Sequence, residues 1–261
     1  MRVRPGTVDR LRSVYFDVWF ALSERLGRVR RPSPEEPCGE LTGLAPAAAR
    51  RIEELRRRYG VAFERRHAAR SALLNYEYLD LLDAAFAAWG LEVPRGRQLH
   101  DVGCGGFAYA AALHAYFAPR RLVGYDVEGY RRLRGGVNRH ERALGHLAGL
   151  SGAEFVVADY REVVRPADVL VAFFPFVTPA PVLGWRLPLR LLDPPGLFAA
   201  MRRNLVPGGR LVMVNHGVEE AVVAAREAEA AGLRAVARTE RLRLGGEPPW
   251  PVVVSAWGEG G

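Results

Sequence analysis

Lysine is absent from this 261-residue sequence, and all 37 basic side chains are arginine. The net charge of +8 and an isoelectric point near 10.0 invite a polyanionic partner. An arginine-only basic set, beside abundant alanine, glycine and proline, is what a compositional bias produces, so the charge alone does not argue for nucleic acid. Cysteine is nearly absent. Cys38 and Cys104 make neither a disulfide framework nor a ligand spacing. His67, His114, His140 and His146 stand in no metal spacing either, so no metal is expected. Long apolar runs are also lacking. The longest, Val169 to Val177, is interrupted by Pro175 and is too short for a bilayer. No apolar stretch follows Met1-Arg2-Val3-Arg4-Pro5, so no secretory signal or membrane partner is expected, and the cytoplasm is the expected location. What is present is a hydrophobic fraction of 49%, enough for a sizeable core.

Residues 1–96 read as helical. Val8, Leu11, Val14, Tyr15, Val18, Trp19, Leu22 and Leu26 recur at helical spacing before Gly27. A proline-rich loop from Arg30 to Gly39 follows. Pro46 opens a second helix that Gly60 can end, and a third stretch runs from Val61 to Trp89, with a break expected near Ser71. This part is expected to be a helical cap or lid. From residue 97 to 261 the texture alternates. Strands are expected at Leu99–Val102, Arg121–Asp126, Glu154–Ala158, Asp168–Phe174 and Gly209–Asn215, each followed by a helix or a loop leading to one. An arginine-rich helix is expected after the second of them. Leu233–Leu244 and Pro251–Trp257 form a last pair. Gly245, Gly246, Glu247 and prolines join them, too short a link for a crossover helix, so the pair should be antiparallel. The expected fold is α/β: a doubly wound, seven-stranded, mostly parallel sheet with a C-terminal antiparallel hairpin, preceded by the cap.

The chemistry is carried by Leu99-His100-Asp101-Val102-Gly103-Cys104-Gly105-Gly106-Phe107, at a strand-to-helix turn. Glycines there let backbone approach a ligand, and the helix N-terminus can face an anion. Gly103-x-Gly105-x-x-Ala108 taken alone also fits a dinucleotide fingerprint. Three further sites set the context. Asp126 ends the second strand, Asp159-Tyr160 follows the third, and Asn204-Leu205-Val206-Pro207-Gly208-Gly209 precedes the fifth. Each acid could singly be a strand-end cap. Together they sit where open α/β sheets bind ligands.

In this order and placement the motifs resemble those of class I (Rossmann-like) S-adenosylmethionine (SAM)-dependent methyltransferases, over residues 98–257. The acid two positions before Gly103, and the closing hairpin, speak against an NAD-dependent oxidoreductase. The resemblance implies SAM as cofactor. It assigns Asp101, Gly103, Cys104, Gly105 and Gly106 to the methionine end, and Asp126 with Val127 to the ribose. Asp159 and Tyr160 fall to the adenine, and Phe173 closes the cofactor site. The family's third loop glycine is here Phe107. The fourth strand ends Phe173-Phe174-Pro175-Phe176, where methyltransferases acting on amino groups often carry Asn-Pro-Pro-Tyr, so no amine-binding role is carried over to Phe173. Phe174, Phe176, Trp185 and Tyr76 are the candidate acceptor-binding residues, and His216 the candidate general base. The expected acceptor is a small molecule under the cap. The alternatives are an RNA methyltransferase, supported by Arg56-Arg57-Arg58, Arg65-Arg66 and Arg131-Arg132-x-Arg134, or a non-catalytic SAM-binding regulator on the same fold.

Overall fold

The computed structural model describes residues 5–29, 31–133, 135–244 and 251–260. Eight α-helices and seven strands are present among the described residues. The helices are α1 (Thr7–Leu26), α2 (Pro46–Tyr59), α3 (Ala69–Trp89), α4 (Ala110–Phe117), α5 (Arg139–Leu147), α6 (Pro179–Gly184), α7 (Pro194–Asn204) and α8 (Gly217–Ala230). The strands are β1 (Gln98–Val102), β2 (Arg121–Asp126), β3 (Ala153–Val157), β4 (Ala167–Phe173), β5 (Leu205–His216), β6 (Leu233–Leu242) and β7 (Pro251–Glu259). They form one sheet in the order β3-β2-β1-β4-β5-β7-β6. All neighbours are parallel except β7, which runs antiparallel to both β5 and β6. The expected α/β architecture and its closing antiparallel pair are therefore found. The joining residues 245–250 lie outside the described residues, as do Arg30 and Arg134.

The strands alternate their side chains between two covered faces, as buried parallel strands do. Val169 and Val171 point into one core with α2, α3, α4 and α5, while Leu170 and Ala172 point into the other with α7 and α8. Local signals explain the helix ends. Pro46 starts α2, and the left-handed Gly60 ends it. Asn138 and Glu141 form a capping box that starts α5, with Asn138 Oδ1 accepting from Glu141 N at 2.8 Å.

Two expectations are corrected. The break in the third helical stretch falls at residues 66–68, after a 3-10 turn at Phe63–Arg65, and not at Ser71. Arg131 and Arg132 of the arginine run after β2 are not helical. Arg132 bridges Asn138 across a tight loop, and the helix begins only at Arg139. The helices α2 and α3 before β1 pack onto the sheet. Residues of α2 and α3, such as Leu55, Leu79 and Leu82, share one core with Leu99, Leu122 and Val169 of the sheet. Asn75 on α3 ties the layers further. Its Oδ1 accepts from Ala112 N at 2.8 Å, and its Nδ2 donates to Ala108 O at 2.7 Å. Only α1 stands off, with no buried residue.

Candidate cofactor and acceptor cavity

The sheet order reverses between β1 and β4, and the loops leaving their C-terminal ends open a crevice there. A cavity of about 450 Å³ occupies it, inside the range of ligand sites. Residues 102–106 form one wall. Gly103 adopts φ +76°, and no atom stands within 4 Å of where a Cβ would be, so the backbone faces open space for a ligand. Gly103 N and Cys104 N both donate to Tyr125 O, at 2.9 and 3.1 Å, and pin the turn to β2. Phe107 takes the left-handed φ of +53° that a glycine would take more easily. Its ring fills the space beside Gly124. A Cβ on Gly124 would sit 2.5 Å from Phe107 Cε1 and 2.8 Å from Cys104 Sγ. Gly124 is thus the partner of the residue that departs from the family pattern.

Three carboxylates flank the loop in different electrostatic states. Asp101, next to the lining residue Val102, is fully buried, and neither of its oxygens has a hydrogen-bond partner of normal geometry. Burial pushes its pKa up to about 8, Asp126 nearby adds to this, and the Tyr109 hydroxyl opposes it. Asp126 accepts from Gly105 N and Glu128 N, each at 2.8 Å. Burial still leaves its pKa above the ordinary value, against the pull of those amides and of Arg139. Asp159 lies below its ordinary value, because the Arg161 fork outweighs burial. Arg161 Nε stands 2.9 and 3.0 Å from the two Asp159 oxygens, and Nη1 reaches Asp193 at 3.3 Å. The acid that the resemblance assigns to adenine is therefore shared here with a guanidinium.

The opposite wall is aromatic. Phe174 turns the chain at φ +55° and lays its ring flat on His216, with centroids 3.9 Å apart and planes 12° apart. Arg243 stands 5.8 Å above the same ring and pairs with Glu77 of α3 through Nη2 at 2.8 Å. Burial, and then Arg243, hold the His216 pKa below its ordinary value, so its ring is neutral near pH 7. Trp185 roofs the glycine loop. Its ring would lie 3.5 Å from a Cβ on Gly105, and the Arg139 guanidinium sits 4.7 Å from its centroid.

The cavity brings together Gly103, Cys104, Gly105, Gly106, Asp126, Val127, Asp159, Tyr160, Phe173, Phe174, Phe176, Trp185 and His216, all singled out in the sequence. It includes neither Asp101, which is buried behind Val102, nor Tyr76. That side chain is buried in the cap, where its hydroxyl donates to Glu64 Oε2 at 2.8 Å. The α3 face that meets the cavity is set by Arg70, Leu74 and Tyr78, at helical spacing. Tyr78 stacks on Tyr109 with centroids 4.2 Å apart. Tyr109 and Arg161 also line the cavity without carrying a sequence signal. Helical spacing by itself does not tell which face of α3 looks into the cavity, because α3 is buried nearly all round.

No protein-family model matches the chain, and no curated protein sequence does. The fold is that of solved class I methyltransferases. A chain of the complex between the Haloferax volcanii Trm112 methyltransferase activator and a methyltransferase superposes with a TM-score of 0.52 at 15% identity, covering 74% of this chain and 94% of that one. The N-methyltransferase NodS from Bradyrhizobium japonicum, bound to S-adenosyl-L-homocysteine, gives 0.50 at 15% identity, covering 80% of this chain and 98% of the other. Among the described residues no helix is long and apolar enough to cross a membrane.

Proposed function

We propose that the protein is a SAM-dependent methyltransferase acting on a small molecule. The observation that carries this reading is one continuous cavity, with the glycine loop, Asp126 and Asp159 on one side and the Phe174–His216 stack on the other. The chain suits SAM in particular. Gly103 leaves room for close approach, and Asp101 lies buried behind the loop, next to the lining residue Val102. Bound SAM would supply an electrophilic methyl group. The chain's own part is to hold and orient. Asp126 is placed for ribose hydroxyls, Tyr160 and Asp159 for the adenine, and Trp185 to exclude water over the loop. Phe174, Phe176 and Tyr78 would position the acceptor, and neutral His216 would take its proton.

The arginine runs do not favour RNA. Arg56 is engaged by Glu64 and Tyr76, Arg58 by Asp83, and Arg131 by Glu128. Arg56 and Arg58 consolidate the cap, while Arg131 and Arg132 line a second cavity against α1, and none of the four lines the cavity that holds the glycine loop. A non-catalytic regulator on this fold would bind the cofactor and transfer nothing. Calorimetry with SAM, S-adenosylhomocysteine and NAD tests the reading, followed by transfer from methyl-labelled SAM to pooled small-molecule metabolites. Both nucleosides should bind, and label should appear in a low-molecular-weight product. Binding of NAD but neither nucleoside would overturn the proposal. Binding without transfer would favour the regulator.

A further inference from the structure

Glu35, His67 and His146 are remote in sequence and meet in the fold. Glu35 lies in the loop between α1 and α2, His67 in the turn before α3, and His146 in the last turn of α5. One donor atom from each lies within 4.8 Å of those of the other two. Glu35 Oε2 stands 3.9 Å from His67 Nδ1 and 3.8 Å from His146 Nδ1. The ring centroids are 5.8 Å apart. Both histidines are 4% exposed, and the Glu35 side chain is 14% exposed.

The contacts are too long for hydrogen bonds. They exceed by a few tenths of an ångström the separation of about 3.4 Å between two ligands on a tetrahedral ion with bonds of about 2.0–2.1 Å. His146 Nδ1, the ring nitrogen that faces Glu35, is buried without a hydrogen-bond partner, a costly state for a ring nitrogen. Glu35 is already oriented. Ser71 Oγ donates to its Oε1 at 2.8 Å, and Ala68 N to its Oε2 at 3.3 Å, so Oε2 is held toward the histidines. Hydrogen bonds of this kind fix carboxylate ligands in metal sites. Burial keeps both rings neutral, with a lone pair to offer, although Glu35 pulls the other way. The positive charges nearby are Arg142, 4.0 Å from the far oxygen Oε1, and Arg66, which acts on His67.

We propose that Glu35, His67 and His146 bind one divalent transition-metal ion of the zinc class, with water completing the shell. Two imidazoles and one carboxylate suit zinc and not magnesium or calcium, which take oxygen ligands. None of the three residues lines the cofactor cavity, so the ion has a structural role. It clamps the loop after α1 and the head of α3 to α5. The same loop is held there by Ser33 N donating to Glu141 O at 2.8 Å and Cys38 N donating to His67 O at 3.1 Å. The sequence spacing concealed the site because its three ligands come from three elements.

The test uses the full chain, stripped with chelator and titrated with Zn²⁺ by calorimetry, with Co²⁺ as a visible-absorption probe. One Zn²⁺ should bind per chain, raise the melting temperature of the stripped protein, and displace the Co²⁺ bands. His146→Ala, His67→Ala and the shape-preserving Glu35→Gln should each weaken binding at least tenfold, while His114→Ala should not. Absence of saturable Zn²⁺ binding to the stripped protein would overturn the proposal. So would binding that Glu35→Gln and whichever histidine variants fold leave unchanged.

Discussion

Asp101 is held protonated near pH 7 by burial, with a pKa of about 8, well above that of an unfolded carboxyl. The folded chain thus binds a proton that the unfolded chain has released. Stability attributable to this group is full below about pH 4 and is lost as pH rises through about 8. Asp101→Asn removes that loss and should raise the melting temperature of the ligand-free protein at pH 8–9, measured by calorimetry against pH. The same change should abolish proton release. Binding of SAM, a cation, should drive Asp101 to ionise, so that at pH 7 the calorimetric enthalpy depends on the buffer's ionisation heat in the parent and not in the variant. Asp126 is engaged by two backbone amides as well as facing the cavity. Asp126→Ala should weaken SAM binding about 10–100-fold, from the loss of one charge-assisted hydrogen bond of roughly 1.5–3 kcal/mol. It should also lower stability by about 1–3 kcal/mol, because Gly105 N and Glu128 N lose their acceptor. An unfolding titration beside the binding isotherm separates the two effects.

The glycine loop and β2 behave as one packed unit. Phe107 is fully buried, and its ring occupies the volume that Gly124 leaves free. Gly124→Ala should therefore cost about 1–3 kcal/mol through overpacking. In a Phe107→Ala background the two nearest clashes of the added methyl are gone and only the one with Cys104 Sγ stays, so its cost should fall in part, and a double-mutant cycle in denaturant should show the coupling. The first helix is the opposite case. Val8, Leu11, Val14, Tyr15, Val18 and Trp19 are each more than half exposed, and α1 touches the rest of the molecule through few polar contacts, such as Ser13 Oγ accepting from Leu189 N at 2.8 Å. An element with so little buried surface opens at low free energy. Backbone amides of α1 should exchange with deuterium well before those of α3, by mass spectrometry of peptic fragments.

For the whole molecule the basic charge and the aromatic cavity point to different acceptors, and the proposed small-molecule acceptor rests on where the arginines stand. Of the first run, Arg56 closes on Glu64 and Tyr76 and Arg58 on Asp83 within the cap, while Arg57 is exposed. The cavity is lined by Phe174, Phe176, Trp185 and Tyr78, with Arg70 and Arg161 as its arginines. Purified protein should leave cellular RNA unlabelled by methyl-labelled SAM while retaining salt-sensitive RNA association of the kind any strongly basic surface gives. RNA labelling that disappears in Asp101→Asn would reverse this view.

The strand-end placement of Asp126 and Asp159 and the turn at Gly103 were legible because each depends on local chain geometry: apolar runs, a glycine conformation, a carboxylate at a strand terminus. The closing antiparallel pair was legible for a similar reason, since a short link excludes a crossover helix. Other features were decided only by packing. Helical periodicity marked α1 and α3 alike, yet α3 joins the sheet's core and α1 stays outside it. Tyr76 and Tyr78 are two residues apart on one helix, and only the approach of α4 and β4 determines that Tyr78 faces the cavity while Tyr76 turns to Glu64. Asp159 reads as a free acid until Arg161 is seen on it. Glu35, His67 and His146 have no shared local pattern at all, because what joins them is the contact of a loop, a turn and a helix that the chain brings together only when folded.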